Sequence, residues 1–217
     1  MSERVRIPKP TARRLSLYLR ELSESIHAGR VRISSKVLGD ALGLTDAQVR
    51  KDLACFGQFG QPGVGYRAAD LSERIRRIMG RDHRWNLALV GAGNIGRAIL
   101  AYRSFRDEGF QFAAVFDQSP QLVGQTIAGL RVLPVASLAQ EVRARQIQIG
   151  VIATPAEAAQ EVADRLVAAG VDGILNFAPR RLTAPSRVCM ATVDLTVAIE
   201  QLAFDISIAR GREGVES

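Results

Sequence analysis

The sequence predicts an α/β protein: an N-terminal winged-helix (helix-turn-helix) domain, a Rossmann-type doubly wound parallel sheet, and a C-terminal helix. Three observations carry that prediction. Residues 34–57 read as two capped helices around a glycine turn. The string Gly91-Ala92-Gly93-Asn94-Ile95-Gly96 directly follows an apolar run at residues 87–90. From residue 86 onward short apolar runs alternate with helical patterns, as in a parallel sheet covered by helices. The division expected is residues 1–80, 81–192 and 193–217.

Taken in order, residues 10–28 form a first helix, with Thr11 as its cap and Leu15, Leu19, Leu22 and Ile26 at three- and four-residue steps. Gly29 ends it. The next helix starts from a Ser34 cap and places Val37, Leu38, Ala41 and Leu42 on one face, before a turn at Gly43. Thr45 caps a third helix, with Gln48 three residues on as its capping-box partner. That helix runs through Val49, Arg50, Lys51, Asp52, Leu53 and Cys55 to Gly57. Helix, short turn and capped polar helix is the helix-turn-helix pattern, whose second helix enters the major groove. Gln48, Arg50 and Lys51 stand where side chains reach bases and phosphates, and Ser34, Ser35 and Lys36 open the helix before.

Phe59-Gly60-Gln61-Pro62-Gly63-Val64-Gly65-Tyr66-Arg67 is rich enough in glycine to make a tight hairpin, the wing, offering Gln61, Tyr66 and Arg67 to DNA. A plain connecting hairpin is the alternative. Residues 69–79 give a further helix with Leu71, Ile75 and Ile78 inward, and residues 80–85 a linker. Then come strands at 87–90, 112–117, 130–133, 147–153 and 173–177, with helices at 95–103 and 156–169. A long helix over 195–209 carries Leu195, Ile199, Leu202, Ile206 and Ala209 in one stripe.

Charge separates the two halves. Residues 1–85 hold 17 Lys/Arg against 9 Asp/Glu, a balance of +8, whereas residues 86–217 hold 12 against 13, a balance of −1. The positive excess therefore lies where it can neutralise phosphates. Cys55 and Cys189 have no metal-ligand spacing and are expected as buried small apolar side chains; no metal site is expected. The N-terminus has no apolar signal core, and no run approaches the roughly 18 apolar residues of a membrane span, so a cytoplasmic protein without membrane association is expected.

A lone GxGxxG string is weak, but here it follows a strand, opens a helix, and precedes an acid at a strand end, Asp117, by 26 residues from Gly91. Gly91 permits the tight turn, Gly93 lets the backbone approach a pyrophosphate, and Gly96 permits close helix–strand packing. The helix N-terminus supplies N–H groups and dipole for the phosphates. Asp117 accepts ribose hydroxyls and repels a 2′-phosphate, which favours NADH and NAD+ over the phosphorylated cofactors. Catalysis is not expected. A dehydrogenase needs an acid–base group near the hydride acceptor, and residues 86–217 hold no histidine, no lysine and one tyrosine, Tyr102. His27 and His83 fall outside that part. A small NAD-dependent oxidoreductase with a basic N-terminal arm remains the alternative, and a nucleotide-responsive scaffold a third.

The chain resembles the Rex redox-sensing transcriptional repressors over nearly its whole length. The resemblance rests on Tyr18-Leu19-Arg20, Gln48-Val49-Arg50-Lys51-Asp52-Leu53, Gly63-Val64-Gly65-Tyr66, the glycine string, Ile174-Leu175-Asn176-Phe177-Ala178-Pro179 and Val193-Asp194-Leu195. It implies a homodimer that binds double-stranded operator DNA when NADH is low and lets go when NADH binds, with NAD+ competing but not driving release. It also implies that the C-terminal helix is exchanged between subunits. A polar switch is implied in which Asp194 pairs with Tyr102 near the nicotinamide in one state and with Arg20 in the other. Leu195 departs from relatives that carry an aromatic residue there.

Overall fold

The computed structural model describes residues 9–57 and 64–213. The chain divides into two compact units, at His83 and Arg84.

In the first unit, α1 (Lys9–His27) is followed by β1 (Arg32–Ile33), α2 (Ser35–Leu42), α3 (Asp46–Ala54), β2 (Tyr66–Arg67) and α4 (Ala68–Ile78). The apolar spacing of α1 buries Leu15, Tyr18, Leu19 and Leu22, but Ile26 at its end stays exposed. These side chains meet Leu38, Val49, Leu53, Leu71 and Ile75 in one core. Thr11 is not the cap of α1; it lies inside the first turn and is buried against Asp52. The buried face of α2 is narrower than expected, since Val37 and Ala41 are exposed and Leu38 and Gly39 go inward. Gly39 is needed there because a Cβ would lie 2.6 Å from the Leu44 carbonyl. A strand that the sequence did not signal, β1, pairs antiparallel with β2, matching Arg32 with Arg67 and Ile33 with Tyr66. Two residues are too few to show a period.

The second unit begins with β3 (Trp85–Val90), α5 (Asn94–Ala101), α6 (Ser104–Asp107), β4 (Phe110–Asp117), β5 (Thr126–Ile127) and β6 (Leu130–Pro134). It continues through α7 (Leu138–Ala144), β7 (Ile149–Ile152), α8 (Ala156–Ala169), β8 (Gly173–Asn176), β9 (Cys189–Thr192) and α9 (Leu195–Glu213). The sheet order is β5-β6-β4-β3-β7-β8-β9, parallel except for the short β5 edge. Leaving β5 aside, this is the doubly wound order 3-2-1-4-5-6. Alternation along β3 explains the covering of both faces. Ala88 and Val90 join the core under α7 and α8, while Leu87 and Leu89 join the one containing Ile99 and Val151.

The β8–β9 connection is fixed by Asn176, whose side chain is fully buried. Its Oδ1 accepts from the Ala178 N–H at 2.9 Å, and its Nδ2 donates to the carbonyls of Ala178 (3.2 Å) and Arg180 (2.8 Å). That accounts for an asparagine at a strand end, because a buried amide must find partners. β9 escaped the sequence reading because its residues are mostly exposed and show no alternation. Both cysteines are exposed free thiols, against the expectation of burial, since one ends a surface helix and the other opens this edge strand.

Candidate nucleotide cleft and nucleic-acid interface

At the carboxyl end of β3 the chain must turn between β4 and β7, the point where the strand order reverses. Gly91 makes that turn at φ +102°, and a Cβ on it would lie 2.4 Å from the Ala153 carbonyl. A side chain is excluded twice there, by backbone strain and by contact. Gly96 is equally confined: a Cβ would sit 2.0 Å from the Gly91 carbonyl oxygen. Gly93 differs, because a Cβ there would meet nothing within 4 Å. The constraint on Gly93 is not internal packing but the open space above it, as the approach of a ligand phosphate requires.

Gly93 precedes α5 and provides no side-chain cap, so N–H groups of the first turn, at Asn94, Ile95 and Gly96, are offered outward with the positive end of the helix. Asp117 at the end of β4 is fixed by two backbone donors. Its Oδ2 accepts from the Ala92 N–H at 2.7 Å and its Oδ1 from the Ser119 N–H at 2.8 Å. The carboxylate is thereby tied to the glycine turn itself, and each oxygen retains a further lone pair. Arg97 turns back to donate to the Ala92 carbonyl at 3.1 Å.

Gly91, Gly93 and Asp117 border one cleft of about 290 Å³, closed by apolar Val90, Leu122 and Val135 and by Thr154, Glu161 and Arg165 from the β7–α8 side. The Thr154 hydroxyl is buried with no hydrogen-bond partner, a polar group left for a ligand. Uncapped helix N-terminus, open glycine, oriented carboxylate and orphaned hydroxyl together fit a dinucleotide, which would supply the redox-sensitive nicotinamide. Tyr102 is not drawn into this cleft. It follows α5, roughly 12 Å along the helix from the glycine turn, is 59% exposed, and packs edge-on against Phe105 at 5.2 Å. Thr154, Glu161 and Arg165 were missed by the sequence reading, since nothing in their local pattern differs from an ordinary strand end and helix.

In the first unit, the Ser34 hydroxyl accepts from the Val37 N–H at 3.1 Å, Gly43 ends α2 in the left-handed region, and the Thr45 hydroxyl accepts from the Gln48 N–H at 3.1 Å. The helix-turn-helix is therefore locked by its own caps. Gln48 does not reach back to close a capping box; its Nε2 donates to Asp52 at 2.9 Å. An acceptor one turn ahead wins over the backbone N–H behind. Arg50 is exposed, held by Asp46 at 2.6 Å and by the Ser35 hydroxyl at 3.3 Å. The same guanidinium keeps the Asp46 carboxyl below the ordinary carboxylate range.

Lys36 and Lys51 are exposed, as is Arg67, which pairs with Asp70 at 3.6 Å. These cations, with Arg50, are the exposed ones among the residues expected to meet DNA. Tyr66 is half-buried against the helical core, and that burial pushes its phenol pKa up. Gln61 lies outside the described residues. Of the expected switch residues, Arg20 is exposed on α1 with Glu24 at 3.6 Å. Asp194 caps α9, its Oδ1 accepting from the N–H groups of Thr196 (2.9 Å) and Val197 (3.2 Å).

Residues 82–180 match the family model of the CoA binding domain, and residues 6–54 that of the putative DNA-binding protein N-terminus. Over 206 residues the chain is 45% identical to the redox-sensing transcriptional repressor Rex of Desulfitobacterium hafniense, covering 95% of this chain and 98% of that one. Among solved structures it is similar to RSP, a Rex-family repressor. To RSP in complex with β-NAD+ and operator DNA the TM-score is 0.90, with 35% identity and 97% of each chain covered. To RSP in complex with β-NADH it is 0.88, with 33% identity, over 97% of this chain and 99% of that one.

Proposed function

The chain belongs to the Rex family of redox-sensing transcriptional repressors, and from that premise we propose that it represses by binding operator DNA when NADH is low and is released when NADH binds. Its relatives are repressors rather than enzymes, and this chain is a regulator, not a dehydrogenase. The observation that carries the reading is the coexistence of the Asp117-tied glycine turn with the capped, basic α2–α3 pair in one chain. NADH and NAD+ occupy the cleft at 91–96 with their adenosine ribose on Asp117. Arg50, Lys51, Lys36 and Arg67 take phosphates and base edges, with Ser34, Ser35, Gln48, Gln61 and Tyr66 completing the surface.

We further propose that the protein acts as a homodimer in the cytoplasm, with residues 193–217 as the exchanged dimerisation helix. Supporting this, Leu195, Ile199, Leu202 and Ile206 lie exposed along one side of α9 and Val197, Phe204 and Ile208 along the other. Apolar surface is thus not confined to the one stripe expected, and a partner subunit would cover it. Arg20, Tyr102 and Asp194 form the switch: NADH favours Asp194 near Tyr102, and its absence frees Asp194 for Arg20. A ligand shifts such an equilibrium only through different affinities for the two states. The test is fluorescence anisotropy of a labelled palindromic operator, titrated with NADH and then NAD+ at fixed salt. Release by NADH alone is expected; tight binding indifferent to both would refute the gating.

A further inference from the structure

Asp52 is the one buried carboxylate among the described residues, at 2% exposure. It projects from the inner face of α3, which also buries Val49 and Leu53. A carboxylate taken out of water there requires substitute donors. Four side chains provide them: Arg14 through Nε at 2.5 Å and Nη2 at 2.7 Å, the Tyr18 hydroxyl at 2.8 Å, the Gln48 Nε2 at 2.9 Å and the Thr11 hydroxyl at 3.4 Å. Burial opposes the charge, but the bonds from Arg14, Tyr18 and Gln48 prevail and hold this carboxyl below the usual carboxylate range.

Three of the four donors stand on α1, and the fourth is one turn earlier on α3. The backbone of α3 lies mainly against α2, and that of α1 against α4. The Asp52 cluster is thus a directional side-chain tie between α1 and α3. Packing alone does not demand it, because an apolar pair of similar volume usually serves stability as well. What such a cluster adds is geometry: the bidentate guanidinium–carboxylate bond fixes angle as well as distance. Gln48 is fixed with it. With one N–H given to Asp52, its carboxamide keeps one N–H to donate to adenine N7 and its carbonyl oxygen to accept from adenine N6–H in the major groove.

We propose that Asp52 is a positioning residue for operator reading: tied to Arg14 and Tyr18, it sets the seat of α3 and the orientation of the Gln48 carboxamide. This rests on α2–α3 being the DNA-reading pair. The probes are a duplex selected from a random library by the wild-type protein, its single-base-pair variants, and a scrambled duplex. Binding of the full chain without cofactor is measured across salt concentrations.

In Asp52→Asn, the preference for the selected over the scrambled duplex falls about tenfold or more. The slope of log affinity on log salt stays unchanged, because every phosphate-binding cation is still in place, and NADH binding is unaltered. Gln48→Ala, at a partly exposed site, loses discrimination at one base pair per half-site, and Asp52→Asn adds nothing further at that pair. The proposal is overturned if a folded Asp52→Asn keeps its preference within twofold, or if Gln48→Ala discriminates every base pair as wild type does. Should Asp52→Asn fail to fold, Tyr18→Phe, which removes one tie to Asp52 and leaves Gln48 in place, is measured instead, and a preference kept within twofold overturns the proposal. A wild-type protein that selects no sequence would instead overturn the repressor reading.

Discussion

Replacing Asp117 by asparagine tests the cofactor site at its most constrained point. The carboxylate accepts two backbone donors, from Ala92 at 2.7 Å and Ser119 at 2.8 Å, on different oxygens. Asparagine has a single oxygen, so one of those N–H groups must face an NH2 group. Leaving a buried donor unpaired costs about 1–3 kcal/mol, and if the donor is Ala92 the cost falls on the glycine turn itself. A hydrogen bond from a ribose hydroxyl to a charged acceptor is worth about 1.5–3 kcal/mol. At about 1.4 kcal/mol per decade, NADH affinity should fall roughly tenfold to a hundredfold. Selectivity should move as well. A 2′-phosphate about 4 Å from a carboxylate is opposed by about 4 kcal/mol at an effective dielectric near 20. Removing the charge should narrow the NADH-over-NADPH ratio by at least about tenfold. Calorimetric titration with each cofactor measures both effects, with operator binding of the cofactor-free protein as control. NADH affinity within twofold of wild type, or an unchanged NADPH ratio, would refute the role given to Asp117.

Gly96→Ala places a methyl 2.0 Å from the Gly91 carbonyl oxygen; NADH binding should vanish and the melting temperature drop, and retained binding would contradict the turn geometry. Lys51→Ala and Arg67→Ala should each lower the salt slope of DNA binding by about 0.9 for every phosphate the wild-type side chain neutralises, leaving NADH titrations unchanged. Thr45→Ala removes the cap on Gln48 and should cost about 1 kcal/mol of stability by thermal melting. The depressed Asp52 carboxyl gives a contribution present above its unfolded pKa of about 3.9 and lost as pH falls toward the folded value. The first unit should therefore weaken below about pH 4, less steeply in Asp52→Asn. Burial and the Asp52 bond raise the Tyr18 pKa, so its contribution holds below about pH 10 and fades above. Melting curves across pH read both limbs.

Legibility followed periodicity and special backbone. The spacing of Leu15, Leu19 and Leu22, the caps Ser34 and Thr45, and the helix at Ala156–Ala169 all stand where their sequence patterns place them. Gly91 and Gly96 were readable because a turn at φ +102° favours glycine and approaches of 2.4 Å and 2.0 Å to backbone carbonyls leave no room for a side chain. What stayed hidden needed partners distant in sequence. Asp52 lies four residues after Gln48 in a helix that otherwise reads as polar outside and apolar inside, and Arg14 is 38 residues away. One signal was available: an acid in register with Val49 and Leu53 on the buried face. Thr154 carried none, because an orphaned hydroxyl is visible only once β7 and α8 enclose it. The exposed cysteines show the reverse failing, in which residue type suggests burial and position on a helix end or sheet edge overrides it.

If NADH and operator DNA act on one two-state protein, their binding energies are coupled and the coupling is reciprocal. The decisive measurement is NADH affinity for the full chain, free and with saturating operator duplex, beside operator affinity with and without NADH. Operator should weaken NADH binding by the same factor by which NADH weakens operator binding. NADH affinity indifferent to bound operator would contradict it.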